Sequence, residues 1–93
     1  MFSAETVLSQ LGGRKFIVMT GAKNFVKGKN YITFKVPKAM NSIGYIKIEI
    51  NPLDMYNMTF MTRNGRIIKI VDGIYWDQLQ QVFTENTGLY THL

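Results

Sequence analysis

Two groups of side chains in this sequence have the types and spacing to do chemistry, and the chemistry both suit is binding. The first is Tyr31, Lys35, Tyr45 and Lys47, carried on two segments of strict polar–apolar alternation, with Lys27 and Lys29 in the turn that precedes them. Aromatic rings beside ammonium groups on an open sheet hold single-stranded nucleic acid, by base stacking and by phosphate contact. The same residue types also suit the wet face of any antiparallel sheet. The second group is Arg63-Asn64-Gly65-Arg66, where two guanidiniums flank a tight turn. Such a tip can fork onto phosphates or carboxylates, or it can simply keep a hairpin soluble.

Bond-making chemistry finds less to work with. A nucleophile needs a base within hydrogen-bond reach, yet the chain has no cysteine and its one histidine is His92. The six acids are scattered, so no pair is spaced for general acid–base work and no cluster has the spacing of metal ligands. Gly28-Lys29 fails as a phosphate loop, because Lys23 stands where the first glycine belongs and Asn30 where Ser or Thr must follow. No catalytic residue, metal or cofactor is expected.

Ninety-three residues suffice for one domain over 1–93 with a modest core. An apolar fraction of 46% and an aromatic fraction of 13% fit a chain that folds. The lack of cysteine favours a reducing compartment, and the opening Met-Phe-Ser-Ala-Glu does not read as a signal peptide. No apolar run approaches the length of a membrane span, so a cytoplasmic location is expected. The net charge of +5 is unevenly spread. Arg14, Lys15, Lys23, Lys27, Lys29, Lys35 and Lys38 share a stretch without an acid, whereas beyond Lys69 come only Asp72, Asp77 and Glu85. This asymmetry suits a polyanionic or acidic partner.

The elements that must position these groups can be read from periodicity. Ser3 caps a short first helix with Glu5 in its first turn and Gly12 or Gly13 at its end; Phe2 and Val7 stand as a hydrophobic staple. Ala4, Val7, Leu8 and Leu11 form its apolar face. The continuous run Phe16-Ile17-Val18-Met19 predicts a strand covered on both sides. Strands with alternation follow: Ile32, Phe34 and Val36 against Tyr31, Thr33 and Lys35, then Ile46, Ile48 and Ile50 against Tyr45, Lys47 and Glu49. Asn51-Pro52-Leu53-Asp54 reads as a type I turn before a strand over 55–62, and Asn64-Gly65 as a hairpin. A two-residue loop there would pair Thr62 with Ile67, Met61 with Ile68 and Phe60 with Lys69. Met58, Phe60, Ile67 and Val71 would then share one face, and Met61, Ile68 and Ile70 the other. Either helices cover both faces at this hairpin or one face carries an exposed apolar patch. A last helix is predicted from an Asp72 cap through Tyr75, Leu79, Val82 and Phe83 to a Gly88 terminator, with Leu89 packing back on Phe83. The fold class is α+β: an antiparallel meander of about five strands with a short N-terminal and a C-terminal helix packed on it.

The segments Gln10-Leu11-Gly12-Gly13-Arg14-Lys15-Phe16 and Met19-Thr20-Gly21-Ala22-Lys23-Asn24-Phe25 resemble the start of small phage and prophage proteins of unassigned function. So does the ending Gly73-Ile74-Tyr75-Trp76-Asp77-Gln78-Leu79 with Thr87-Gly88-Leu89-Tyr90-Thr91. The resemblance implies a phage or bacterial cytosolic setting and transfers no site residue. The expectation is a non-enzymatic protein that occupies a surface of a host protein or nucleoprotein complex, as an anti-CRISPR-like inhibitor would. A basic chain would do so by meeting acidic protein or nucleic acid, not by imitating DNA. Direct single-stranded nucleic-acid binding through the Tyr/Lys face is the alternative. A self-assembling phage component, with the apolar hairpin face as homo-oligomer interface, is a third.

Overall fold

A computed structural model describes residues 3–37 and 39–89. The elements are α1 (Ala4–Leu11), α2 (Arg14–Thr20), β1 (Lys23–Lys27), β2 (Tyr31–Lys35), β3 (Tyr45–Ile50), β4 (Tyr56–Met61), β5 (Ile67–Ile74), a 3-10 turn (Trp76–Gln78) and α3 (Leu79–Thr87). The five strands form one antiparallel sheet in the order β1-β2-β3-β4-β5. This is the expected α+β meander with an N-terminal and a C-terminal helix. Its first strand, however, is not the expected one.

Phe16–Met19 is helical. Seven residues between Gly13 and Gly21 make two turns, and Gly21 ends them in the left-handed region (φ 70) by donating its N–H to the Ile17 carbonyl at 2.9 Å. Only Phe16 and Thr20, one turn apart, point inward; Ile17, Val18 and Met19 face out, Val18 at 73% exposure. The Thr20 hydroxyl donates to the Phe16 carbonyl at 2.7 Å and accepts from the Ala22 N–H at 3.2 Å, steering the chain into β1. The end of the chain also departs from the prediction. Asp72 caps no helix: β5 runs on to Ile74, and α3 starts only at Leu79 after the 3-10 turn. Gly73 at φ 67 is what lets the strand continue, in a bulge where its N–H donates to Asn57 Oδ1 at 3.3 Å. Tyr75 and Trp76 are consequently outside α3 and exposed, while Leu79, Phe83 and Thr87 line its inner face.

Other local expectations hold. Ser3 Oγ accepts from the Thr6 N–H at 3.3 Å, Ala4, Val7 and Leu11 are buried, and Gly88 ends α3 at φ 73. At the β3–β4 turn the Asp54 N–H reaches the Asn51 carbonyl at 3.0 Å, and Asn51 Oδ1 accepts from the N–H groups of Leu53 and Met55. Leu89 packs against the core. Phe2, Lys38 and His92 lie outside the described residues.

The β4–β5 hairpin needs one more residue in its loop than expected. Gly65 alone takes positive φ (85), its N–H donates to the Thr62 carbonyl, and Thr62 N–H pairs with the Arg66 carbonyl. A type I turn followed by a left-handed glycine explains this, where a two-residue loop would need Asn64 left-handed as well. Met61 therefore opposes Ile67, and a bulge at Ile68 restores the expected pairing of Phe60 with Lys69. Ile67 thus moves from the Phe60 face to the Met61 face.

Among the described residues all helical cover lies on one side of the sheet. Ile32, Phe34, Ile46, Ile48, Met58 and Phe60 bury one face against Val7, Leu11, Phe16, Leu79 and Phe83. Phe16 of α2 meets Phe34 edge-on (5.6 Å between centroids, 86°) and Phe83 of α3 at 5.1 Å, and Phe34 lies 6.5 Å from Phe83. Two substitutions check the reassignment of α2 by urea denaturation. Phe16→Ala should cost about 3–5 kcal/mol, whereas Val18→Lys should change stability by less than about 0.5 kcal/mol. A Val18→Lys as damaging as Phe16→Ala would point back to a strand covered on both sides.

Candidate binding face

Among the described residues the other side of the sheet carries no helix, and register decides what it displays. Paired residues in an antiparallel ladder point to the same side. One row across the open face reads Lys23–Lys35–Tyr45–Met61–Ile67, the next Val26–Thr33–Lys47–Thr59–Ile70, and a third Tyr31–Glu49–Asn57. The face grades from basic and aromatic on β1–β3 to apolar on β4–β5. Ile67 and Ile70 are 57% and 52% exposed.

Tyr31, Lys35, Tyr45 and Lys47 stand together as expected. The Lys35 ammonium lies over the Tyr45 ring at 5.3 Å, directly across the ladder, and the Lys47 ammonium over the Tyr31 ring at 5.0 Å, diagonally. Both tyrosines are half-buried. The Tyr31 ring lies where a side chain on Gly28 would stand, so the β1–β2 turn needs glycine there to let the ring lie flat. Glu49, the one acid on these rows, is 3.9 Å from Lys47. The remaining sequence candidates separate. Lys27 sits opposite Ile32, on the covered side, and pairs with Glu5 of α1 at 3.5 Å. Glu5 lies below the ordinary carboxylate range, chiefly through its own backbone hydrogen bond and then through Lys27. Lys29 is exposed in the turn beside Tyr31, and Arg66 lines a shallow recess at the hairpin tip with Thr62, Asn64 and Gly65. Arg63 turns away from Arg66 toward β3.

Arg63 joins a cluster that periodicity did not reveal. A pocket of about 330 Å³ is lined by Lys23, Asn24, Lys35, Gly44, Tyr45 and Arg63, with Val36 and Pro37 at its wall. Lys23 reaches it because β1 is bulged between Lys23 and Val26, with Asn24 left-handed at φ 56. That irregularity hides the alternation by which β2 and β3 are recognised. Gly44 is required for a different reason. A Cβ there would stand 2.6 Å from Arg63 Cγ and 2.9 Å from Arg63 N, so only glycine lets the hairpin lean onto the β2–β3 connection.

A second groove carries acids instead. Trp76, 63% exposed, shares a groove with Asp77, Gln80, Gln81, Thr84 and Glu85. Burial pushes the Tyr56 phenol above its ordinary value. Among the described residues no group of three or more His, Asp or Glu could hold a metal ion, and no helix is long and apolar enough to cross a membrane. No protein-family model matches the chain, and neither a curated protein nor a solved structure matches it.

The close approach at Gly44 has a measurable consequence. Gly44→Ala should destabilise the protein by about 1–3 kcal/mol through forced displacement of the Arg63 backbone, read by urea denaturation. An alanine variant as stable as the wild type would mean that the contact can relax freely.

Proposed function

We propose that this is a non-enzymatic binding protein whose ligand is single-stranded nucleic acid, held on the open face of β1–β3. The observation that carries the reading is the pair of tyrosine rings, each under a lysine ammonium, on the face that no helix among the described residues covers. A lysine lying over a ring is held there by about 0.5–1 kcal/mol at an exposed site. A base stacking on the ring contributes about 1–3 kcal/mol. An incoming strand can therefore displace the ammonium from the ring and gain its charge for the phosphate beside that base. Lys23, Lys29 and Arg63 extend the positive field to either side of the two rings. In the phage-type setting that the resemblance implies, the strand would belong to a host nucleoprotein complex.

A second reading, occupation of a protein surface, is favoured by a different observation. Met61, Ile67 and Ile70 continue the same face as an apolar margin, and two of them are more than half exposed. A nucleoprotein target would present acidic and apolar ground side by side.

Fluorescence anisotropy with labelled oligonucleotides separates the readings. The nucleic-acid reading expects single strands to bind, with log affinity falling against log salt by about 0.7 per phosphate contacted. Tyr31→Ala and Tyr45→Ala should each weaken binding by about 1–3 kcal/mol, with the circular dichroism spectrum unchanged. A flat salt response, or affinity indifferent to both rings, would refute it. Capture of a host protein that survives nuclease and is lost in an Ile67→Lys, Ile70→Lys variant would favour the second reading.

A further inference from the structure

We infer that the pocket between β1, β2 and the β4–β5 hairpin is a phosphate-monoester site, formed by Lys23, Lys35, Arg63 and Asn24. The inference rests on the nucleic-acid reading for its macromolecular ligand, the phosphorylated end of a strand, but the pocket itself stands on its own geometry.

Lys23 and Lys35 are directly opposite each other across the β1–β2 ladder. Like charges in that position repel, and a strand selected only for solubility or stability would alternate their signs. Arg63 adds a third cation to the same concavity, and among the described residues no acid lines it. Among the described residues neither Lys23 nor Arg63 has an ion-pair partner, and Lys35 has only the Tyr45 ring. Glu5 and Glu49, the acids that do form ion pairs, are engaged by Lys27 and Lys47 instead. Three cations are thus gathered at a cost to the free protein, one by irregular backbone and one by a missing Cβ: the bulge at Asn24 aims Lys23, and the bare Gly44 admits Arg63. Mutually repelling cations gathered this way mark a site that an anion completes.

The charge count selects the anion. An internal phosphodiester carries one negative charge, whereas a phosphate monoester carries nearly two at pH 7 and three acceptor oxygens. A guanidinium fork with two ammonium groups and an amide matches that acceptor set. About 330 Å³ accommodates the group together with some of its water. The row Lys23–Lys35–Tyr45 then sets the ring of Tyr45 beside the pocket. A base next to a seated terminal phosphate can reach that ring, and the rest of the strand runs on toward Tyr31. Two sources offer the same chemistry: the end of a strand, and a free small phosphate monoester.

The test has three arms. In the first, inorganic phosphate is titrated into the labelled protein at constant ionic strength, with chloride as balance, and amide resonances are followed. Shifts should concentrate at Lys23, Asn24, Gly44, Tyr45 and Arg63, bypass Lys29 and Arg66, and vanish in Arg63→Gln. In the second, oligonucleotides with a 5′-phosphate, a 3′-phosphate or hydroxyl ends are compared. One phosphorylated end should bind about tenfold tighter than the hydroxyl form, with the difference lost in Arg63→Gln. In the third, Lys23→Gln should melt higher than the wild type in low salt, by roughly 1–5 °C, yet lose the rise that phosphate gives the wild type. Phosphate shifts spread evenly over the surface lysines, or absent, would overturn the site. Localised phosphate shifts without any oligonucleotide binding would uphold the pocket as a site for free monoesters and remove the nucleic-acid reading of the face.

Discussion

The contact of Phe16, Phe34 and Phe83 is the constraint on which the remaining structure depends. Each ring comes from a different element (α2, β2 and α3), and all three are fully buried. Docking both helices on one phenylalanine of the central sheet commits the helical cover to a single side. A chain of this size builds one modest core, and here that core lies on the side of the sheet that carries Phe34. What the second face displays is then fixed by register alone.

That face is divided by the strands themselves. β2 and β3 pair without interruption from Tyr31–Glu49 to Lys35–Tyr45, which lines up tyrosine and lysine as neighbours. The outer strands are irregular. β1 is bulged at Asn24, and β5 twice, at Ile68 and near Gly73. Bulges at sheet edges hinder a further strand from adding and re-aim side chains. At β1 the re-aimed residue is Lys23, which closes the cationic pocket. At β5 the bulge at Ile68 follows Ile67, now on the same face as Met61. Basic pocket, aromatic centre and apolar margin are therefore consequences of where the ladder is regular and where it is not.

The same distinction explains how much could be read from the sequence. Where one face is buried and the other wet, alternation is clean, so β2, β3 and the Tyr31, Lys35, Tyr45, Lys47 group were legible residue by residue. Phe16–Met19 carries no period in four residues, and a buried strand and a short helix with one inward residue look alike at that length. The glycines at 13 and 21, spaced for two turns, were the signal that could have decided it. Asp72 has the chemistry of a cap, but Gly73 and Asn57 offer the backbone a bulge that prolongs β5. Lys27 sits within the basic stretch and yet turns to Glu5, because charge along the chain says nothing of which face a strand residue takes. Lys23 and Arg63 meet only through a bulge and a missing Cβ, neither of which leaves a periodic trace.

The central claim, that the face left bare by the aromatic docking is the one that binds, has a direct test in mapping. Amide resonances of the labelled protein are followed as a short single-stranded oligonucleotide is added. Perturbation is expected at Tyr31, Thr33, Lys35, Tyr45 and Lys47 with the α1 and α3 resonances unmoved. Perturbation centred on the groove of Trp76, Asp77 and Glu85, with the sheet silent, would contradict the binding face.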